Sequence, residues 1–152
     1  MKRLTVILAM ALIAISAGAQ TPKNVKYAYT EASDLNLIGK IHEDTPNPYH
    51  RVDTVKYKGF TKSENGQVRM SSGISVAFKT NSSEIHVKTK YGTVVSFPTN
   101  TNGISARGYD LYIKKNGEWL YAASKAAANG KEEENLVLIK DMDDSMKECM
   151  LY

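Results

Sequence analysis

The dipeptide Asn116-Gly117 constrains the fold of this chain more than any other feature of its sequence. A two-residue type I′ turn needs positive φ at both central positions, and asparagine followed by glycine adopts them at the lowest cost. Both flanking segments, 108–115 and 118–121, are rich in aromatic and aliphatic residues that suit strands. The sequence therefore predicts a β-hairpin here, and an antiparallel sheet around it.

Residue alternation divides the side chains of this hairpin between two faces, because successive side chains of a strand point to opposite sides of the sheet. One face of the first strand is apolar and comprises Tyr109, Leu111 and Ile113. The opposite face comprises Asp110, Tyr112 and Lys114. On the return strand, Trp119 and Tyr121 share a face and leave Leu120 on the other.

The rest of the chain also divides into short alternating segments separated by turn residues. The predicted strands are 25–29, 35–38, 51–57, 74–80, 84–91, 93–97, 136–139 and 146–152. Segment 62–66 is predicted to be a polar turn, 98–107 a long loop, and 122–134 either a helical turn or a solvated loop. Because no long segment has a helical period, we expect an all-β fold, an antiparallel sandwich.

The hairpin also carries a family resemblance. Gly108-Tyr109-Asp110-Leu111-Tyr112 resembles the Gly-x-Asp-Leu-Tyr signature of the β-rich domain that precedes the catalytic domain in secreted SGNH-type, GDSL-like esterases. Segments 48–52 and 73–82 are also similar to such domains. The resemblance runs from about Leu35 to Tyr152 and implies a jelly-roll-like sandwich.

Residues 1–19 have the features of a secretory signal peptide. Lys2 and Arg3 form a positive n-region, residues 4–15 an apolar h-region, and Ala17-Gly18-Ala19 a cleavage site after Ala19. The apolar run is short for a membrane span, and no cysteine near the site could carry a lipid. We therefore expect no membrane anchor, and a mature chain that is periplasmic or secreted.

The mature chain would consist of an N-terminal segment, 20–34, and a β-sandwich domain, 35–152. The sequence stops at Tyr152 in the middle of an apolar strand pattern, which would leave an unprotected sheet edge. We therefore expect this chain to be a fragment of a longer protein, truncated at its C-terminal strand.

The sequence shows no pattern for nucleophilic hydrolysis. It contains neither a Gly-x-Ser-x-Gly elbow nor the Gly-Asp-Ser block and late Asp-x-x-His of SGNH enzymes. We therefore expect this chain to be non-catalytic, and the resemblance implies catalytic residues beyond residue 152. The single cysteine, Cys149, is expected to be a buried, inert thiol in a strand.

Other functional classes are poorly supported. The net charge of +4 is small and its charges are interspersed, so we expect no nucleic-acid partner. His42, Glu43 and Asp44 are adjacent on an extended segment, where side chains point apart, although His50 could close such a metal site. We expect neither a metal nor a cofactor.

Five side chains are candidates for contact with a substrate or with a neighbouring domain: Arg51, Asp110, Tyr112, Trp119 and Tyr121. A carboxylate among apolar neighbours needs a partner, and Arg51 could supply a bidentate one to Asp110. That pair would be a structural brace or a substrate contact. Tyr112 could stack on a sugar ring, stack on a downstream domain, or serve only in packing.

Two functions remain. The first, implied by the resemblance, is an accessory domain of an SGNH-type esterase that removes acyl groups from carbohydrates by a metal-independent serine mechanism. The domain would pack on the catalytic domain and shape its cleft. The alternative is a free-standing carbohydrate-binding module, with Trp119, Tyr121 and Tyr112 as a stacking platform and loop 98–107 supplying polar contacts.

Overall fold

The computed structural model describes residues 27–92, 101–128 and 130–152. Within these residues the chain forms seven strands: β1 (Asn36–Ile38), β2 (Ser75–Thr80), β3 (Ile85–Lys90), β4 (Gly108–Lys115), β5 (Glu118–Ala126), β6 (Glu133–Ile139) and β7 (Lys147–Leu151). The helical elements of this part are α1 (Lys62–Val68), α2 (Gly103–Arg107) and a 3₁₀ turn, Ala32–Asp34. None of these helices is long and apolar enough to cross a membrane.

The strands form two antiparallel sheets that enclose one core. The larger sheet has the order β1-β2-β7-β4-β5, and the smaller one pairs β3 with β6. Leu111 and Cys149 of the larger sheet meet Ile85 and Leu138 of the smaller sheet in the buried cluster between them. This arrangement confirms the predicted all-β sandwich; its jelly-roll-like connectivity stays a prediction.

The hairpin forms as predicted. Asn116 has φ 53° and Gly117 has φ 87°, the positive values that a type I′ turn requires. The pairing of β4 with β5 shifts between Leu111 and Tyr112, so that Ala122 is an extra residue on β5. The bulge preserves the predicted faces, because Leu111 points into the core while Tyr112 lies opposite Tyr121 on the outer side.

Most other predicted strands are also present, with bounds that differ by up to three residues. Segments 35–38, 74–80, 84–91, 136–139 and 146–152 correspond to β1, β2, β3, β6 and β7. The signal peptide, residues 20–26 of the N-terminal segment, and strand 93–97 lie outside the described residues, and residues 27–29 of the predicted strand 25–29 form no strand. Of the predicted loop 98–107, the last five residues form α2.

The predicted strand 51–57 is wrong. The carboxylate of Asp53 accepts hydrogen bonds from the backbone N–H groups of Val55 and Lys56 at 2.8 and 3.1 Å, and the N–H of Tyr57 bonds the carbonyl of Asp53 at 2.9 Å. An aspartate that binds its own following backbone closes a turn. The local alternation of Val55 and Tyr57 is therefore overridden by the side chain of Asp53.

Segment 62–66 is part of helix α1 rather than a turn. Thr61 and Glu64 form a capping box, in which each side chain accepts a hydrogen bond from the backbone N–H of the other. Segment 122–134 also differs from the prediction, because β5 continues to Ala126 along the first half of β4. Only the part between β5 and β6 is a loop.

At Gly108, the first residue of the Gly-x-Asp-Leu-Tyr motif, the backbone of Ile104 lies so close that there is no room for a side chain. It ends α2 and begins β4, and a Cβ placed on it would lie 2.2 Å from the carbonyl oxygen of Ile104 and 2.7 Å from its Cα. Its φ of −84° is ordinary for any residue. The constraint is therefore steric, and it fixes where helix α2 meets the motif strand.

We expect Gly108→Ala to lower the free energy of unfolding by about 2 kcal/mol, because a methyl group forced against backbone must displace α2 from β4. Urea denaturation of the purified chain measures the change. Gly66→Ala is the matched control, since nothing lies within 4 Å of a Cβ at that position in α1. It should be neutral or stabilising by up to about 1 kcal/mol, and equal losses in both variants would contradict the steric explanation.

Candidate functional site

The outer face of the larger sheet carries a shallow pocket of about 390 Å³, which we call the aromatic pocket. Its lining residues come from β4, β5, β7 and the residue after β7, and they are Asp110, Tyr112, Trp119, Met150 and Tyr152. Strand register places them together, because Tyr112 lies opposite Met150 of β7 on one side and Tyr121 of β5 on the other. The pocket therefore lies over the strand that contains the motif.

Tyr112 is at the centre of the ring contacts. Its ring centroid lies 6.0 Å from that of Tyr121 and 5.5 Å from that of Tyr152, with interplanar angles of 76° and 77°. These are the edge-to-face geometries that aromatic pairs favour. Around this centre, 40% of the surface of Trp119, 61% of Tyr121 and 53% of Tyr152 remain exposed to solvent.

Asp110 binds within the sheet. Its carboxylate accepts a hydrogen bond from the hydroxyl of Ser124, the residue opposite it on β5. Its backbone N–H and carbonyl bond those of Tyr152 at 3.1 and 2.9 Å. The half-buried carboxylate thus finds a polar partner across the strands, and its backbone holds the last residue of the chain beside the pocket.

Arg51 does not take part in this pocket. Its Nε donates to the carbonyl of Met70 at 3.0 Å and its Nη2 to the carbonyl of Gln67 at 2.6 Å. These carbonyls lie at the C-terminal end of α1, where backbone oxygens lack partners within the helix. The predicted pairing with Asp110 is therefore wrong, because the sequence reasoning missed the helix whose end Arg51 binds.

A rim of paired charges borders the aromatic pocket on the same face. The carboxylate of Glu148 lies 3.2 Å from Nζ of Lys79 and 3.4 Å from Nζ of Lys114, and Lys114 Nζ is 5.6 Å from the centroid of the Trp119 ring. Hydrogen bonds from Lys79 and Lys114 hold the pKa of Glu148 below its ordinary value. The rim is solvent-exposed, so these pairs add little stability.

A second pocket, of about 220 Å³, lies among the loop residues before β2. His50 and Arg69 line it together with Val52, Asp53 and Val55. Burial lowers the pKa of His50, and the positive charges of Arg69 and Lys40 lower it further. The Asp53 carboxylate is already bonded to backbone, so this pocket presents a neutral imidazole beside an arginine and little other polar chemistry.

Two of the histidines contact a carboxylate and an aromatic ring. His86 Nε2 lies 2.9 Å from the carboxylate of Glu84, and the ring of His42 lies 4.9 Å from that of Tyr57. Within residues 27–92, 101–128 and 130–152, no three His, Cys, Asp or Glu side chains group closely enough to hold a metal ion. Cys149 is 1% exposed on β7, and burial raises its pKa, so the predicted burial of this thiol in a strand is confirmed.

Four of the five predicted site residues are thus brought together: Asp110, Tyr112 and Trp119 line the aromatic pocket and Tyr121 contacts its central ring. Sequence reasoning missed Met150 and Tyr152. Alternation in the last strand carries the signal that could have found them, since both lie on the opposite side from Cys149.

The fold and this pocket define a class: a β-sandwich domain with an aromatic pocket on the outer face of one sheet. The comparison with protein families shows to which family within that class the chain belongs. The chain belongs to the GxDLY family, described as the N-terminus of SGNH hydrolase-type esterases, and residues 25–152 match the family model. The resemblance seen in the motif is therefore confirmed, and the match begins before Leu35.

A solved structure supports the same assignment. A protein from Bacteroides ovatus, described as a GDSL-like lipase, has a TM-score of 0.75 to this chain at 32% sequence identity. The similarity covers 82% of this chain and 36% of that one. This chain therefore spans about a third of the length of the lipase-like protein. No match was found among the curated proteins.

We expect Ser124→Ala and Asp110→Ala each to lower the free energy of unfolding by about 1–2 kcal/mol, because each removes a hydrogen bond to a half-buried carboxylate. The double variant should lose much less free energy of unfolding than the sum of the two single losses, since both substitutions break the same interaction. A double-mutant cycle in urea measures the coupling. Fully additive losses would show that the two side chains act independently.

We expect stability to fall in acid. Hydrogen bonds lower the pKa values of Glu64, Glu84, Asp143 and Glu148 in the folded chain, and they come from backbone N–H groups and from serine, histidine or lysine side chains. A carboxyl whose folded pKa is depressed contributes stability above its unfolded pKa and loses it as the pH falls through the folded value. The urea concentration at the midpoint of unfolding should therefore decrease as the pH falls below 4.5, the ordinary pKa of a glutamate.

Glu148→Gln should make this drop shallower, because it removes one of the groups that take up a proton on unfolding. Glu118→Gln, an exposed change of the same charge at the hairpin turn, serves as the control. An identical pH profile for Glu148→Gln and the parent chain would contradict a lowered pKa of Glu148 in the folded chain.

Proposed function

We propose that this chain is the non-catalytic N-terminal part of a secreted SGNH-type ester hydrolase. In this proposal, a domain that follows residue 152 carries a serine nucleophile and hydrolyses ester bonds, with acylated carbohydrates as the substrate class. The observation that carries the proposal is the family match over 25–152, a family described as the N-terminus of such esterases. The signal-peptide features of residues 1–19 support export.

The chemistry of the described residues supports a non-catalytic role for this part. Nucleophilic hydrolysis needs a serine or cysteine beside a base that a third group orients. Cys149 is buried in the core, and the Ser124 hydroxyl is bonded to Asp110 rather than to a histidine. His86, the histidine with a carboxylate partner, lies on β3 of the other sheet.

The length of the similar solved structure supports the presence of a further domain in the parent protein. The similar lipase-like protein is nearly three times as long as the part that this chain matches, since the match covers 36% of it. The proposed role of this sandwich is to pack against the catalytic domain and form part of the wall of its substrate cleft.

The alternative, a free-standing carbohydrate-binding module, is supported by the exposure of Trp119 and Tyr121. The ring geometry favours it less. A flat stacking platform needs rings that lie side by side in one plane, but Tyr112 makes angles of 76° and 77° with its two neighbours. We therefore place the accessory role first.

Expression of the complete gene tests the proposal. We expect the full-length protein to hydrolyse p-nitrophenyl acetate and an acetylated oligosaccharide, and to lose both activities when the serine of a Gly-Asp-Ser block after residue 152 is replaced by alanine. The 152-residue chain alone should release no product. Ester hydrolysis by this chain, abolished by replacing one of its own serines, would overturn the proposal.

A further inference from the structure

We propose that the aromatic pocket is the docking surface for the domain that follows Tyr152 in the same polypeptide. This inference rests on the proposed function, because it takes the occupant to be the catalytic domain of the parent enzyme. It goes further by assigning the contact to one face of one sheet and to named side chains. The residues at its centre are Tyr112, Trp119, Met150 and Tyr152.

The composition of the pocket is that of the centre of a protein interface. Tyrosine, tryptophan and methionine are enriched at such centres, and the largest single contributions to binding come from tryptophan, tyrosine and arginine. Trp119, Tyr121 and Tyr152 leave 40%, 61% and 53% of their surface to solvent. Exposed aromatic side chains clustered on one sheet face mark a contact site more often than an ordinary surface.

The rim has the form expected of the edge of such an interface. Glu148 forms ion pairs with both Lys79 and Lys114, so each of these three charges beside the pocket has a partner within this chain, with one positive charge in excess. Paired charges at a rim can stay hydrated while the aromatic centre is covered. Covering the pocket would therefore leave these three rim charges paired, and the Asp110 carboxylate in the pocket would keep its hydrogen bond from Ser124.

The position of Tyr152 identifies the occupant. Its backbone bonds that of Asp110 at 2.9 and 3.1 Å, and its ring lies against that of Tyr112. A polypeptide that continues from Tyr152 must therefore leave from the wall of the pocket. A domain joined to Tyr152 by a short linker would have a high effective concentration at this surface, so even modest contacts would keep it docked.

Hydroxyl-radical footprinting of the full-length protein, read by mass spectrometry, tests this surface. We expect Trp119, Tyr121 and Met150 to be protected from oxidation in the full-length protein and reactive in the 152-residue chain. Tyr57, exposed on the loop before α1, is the internal control and should react equally in both. Equal reactivity of Trp119, Tyr121 and Met150 in the two proteins would overturn the inference.

A double variant, Trp119→Ser with Tyr121→Ser, tests whether the contacts hold the domains together. Both side chains are exposed in this chain, so the variant should keep the circular dichroism spectrum of the sandwich. In the full-length protein we expect loss of the protection of Met150, and a single thermal transition to split into two. Tyr57→Ser should change neither, and an unchanged footprint and transition in the double variant would also overturn the inference.

Other occupants of the pocket give different results. Trp119 is the only tryptophan in this chain, so its fluorescence reports on the pocket directly. Saturable binding of an acetylated oligosaccharide that shifts this fluorescence, with no protection in the full-length protein, would replace the docking surface by a sugar site. Dimerisation of the 152-residue chain that protects the same residues would replace it by a contact between copies.

These results separate the inference from the proposed function. If the full-length protein hydrolyses esters but its pocket residues are oxidised as readily as in the 152-residue chain, only the docking surface is overturned. If the full-length protein has no downstream serine-dependent esterase, the proposed function is overturned, whatever the footprint shows.

Discussion

The hydrogen bonding of β4 on both of its edges is the constraint on which the rest of the structure depends. Between β7 and β5, β4 can place its side chains only inward or outward. Leu111, with 0% exposure, then becomes the centre of the core, while Tyr112, its neighbour in sequence, becomes the centre of the aromatic pocket. One strand thus contributes both to the core of the domain and to its aromatic pocket.

This geometry gives a physical role to each fixed position of the Gly-x-Asp-Leu-Tyr motif. Gly108 admits the backbone of α2, which a side chain would displace. Asp110 binds Ser124 across the strands, Leu111 fills the core, and Tyr112 orders the outer rings. The motif therefore fixes the fold around β4 and places Asp110 and Tyr112 at the aromatic pocket.

The residue before the motif strengthens the same region. Arg107 is 7% exposed, lies 4.3 Å over the ring of Tyr91 and donates to the carbonyl of Lys131 at 2.8 Å. It thereby joins α2 to the end of β3 and to the loop before β6. Burying a guanidinium in this way keeps the start of β4 in a fixed position relative to the smaller sheet.

The sequence was informative wherever local and tertiary preferences agree. The type I′ turn needs only Asn116 and Gly117, and the faces of β4 need only alternation, so both could be predicted from neighbouring residues. The prediction of a strand at 51–57 was wrong because hydrogen bonds from the following backbone to the Asp53 carboxylate stabilise a turn, despite the strand-like alternation of the segment. Helix α1 was readable in principle, since Thr61 and Glu64 have the spacing of a capping box.

The site shows the same division. The clustering of Tyr112, Trp119 and Tyr121 follows from hairpin register, which the sequence predicts. The contribution of Met150 and Tyr152 depends on which strand lies beside β4, and β7 is some forty residues away in the chain. The partner of Arg51 could not be predicted without the helix end that it binds. Contacts over long sequence separations need the topology, which short-range patterns do not contain.

A crystal structure of the full-length gene product tests the central claim most directly, that the outward side chains of the motif strand are a contact surface. The account predicts that a serine-esterase domain covers Tyr112, Trp119 and Tyr152 while the sandwich keeps the fold described here. A structure in which this sheet face is open to solvent, with the following domain packed on another side of the sandwich, would contradict it.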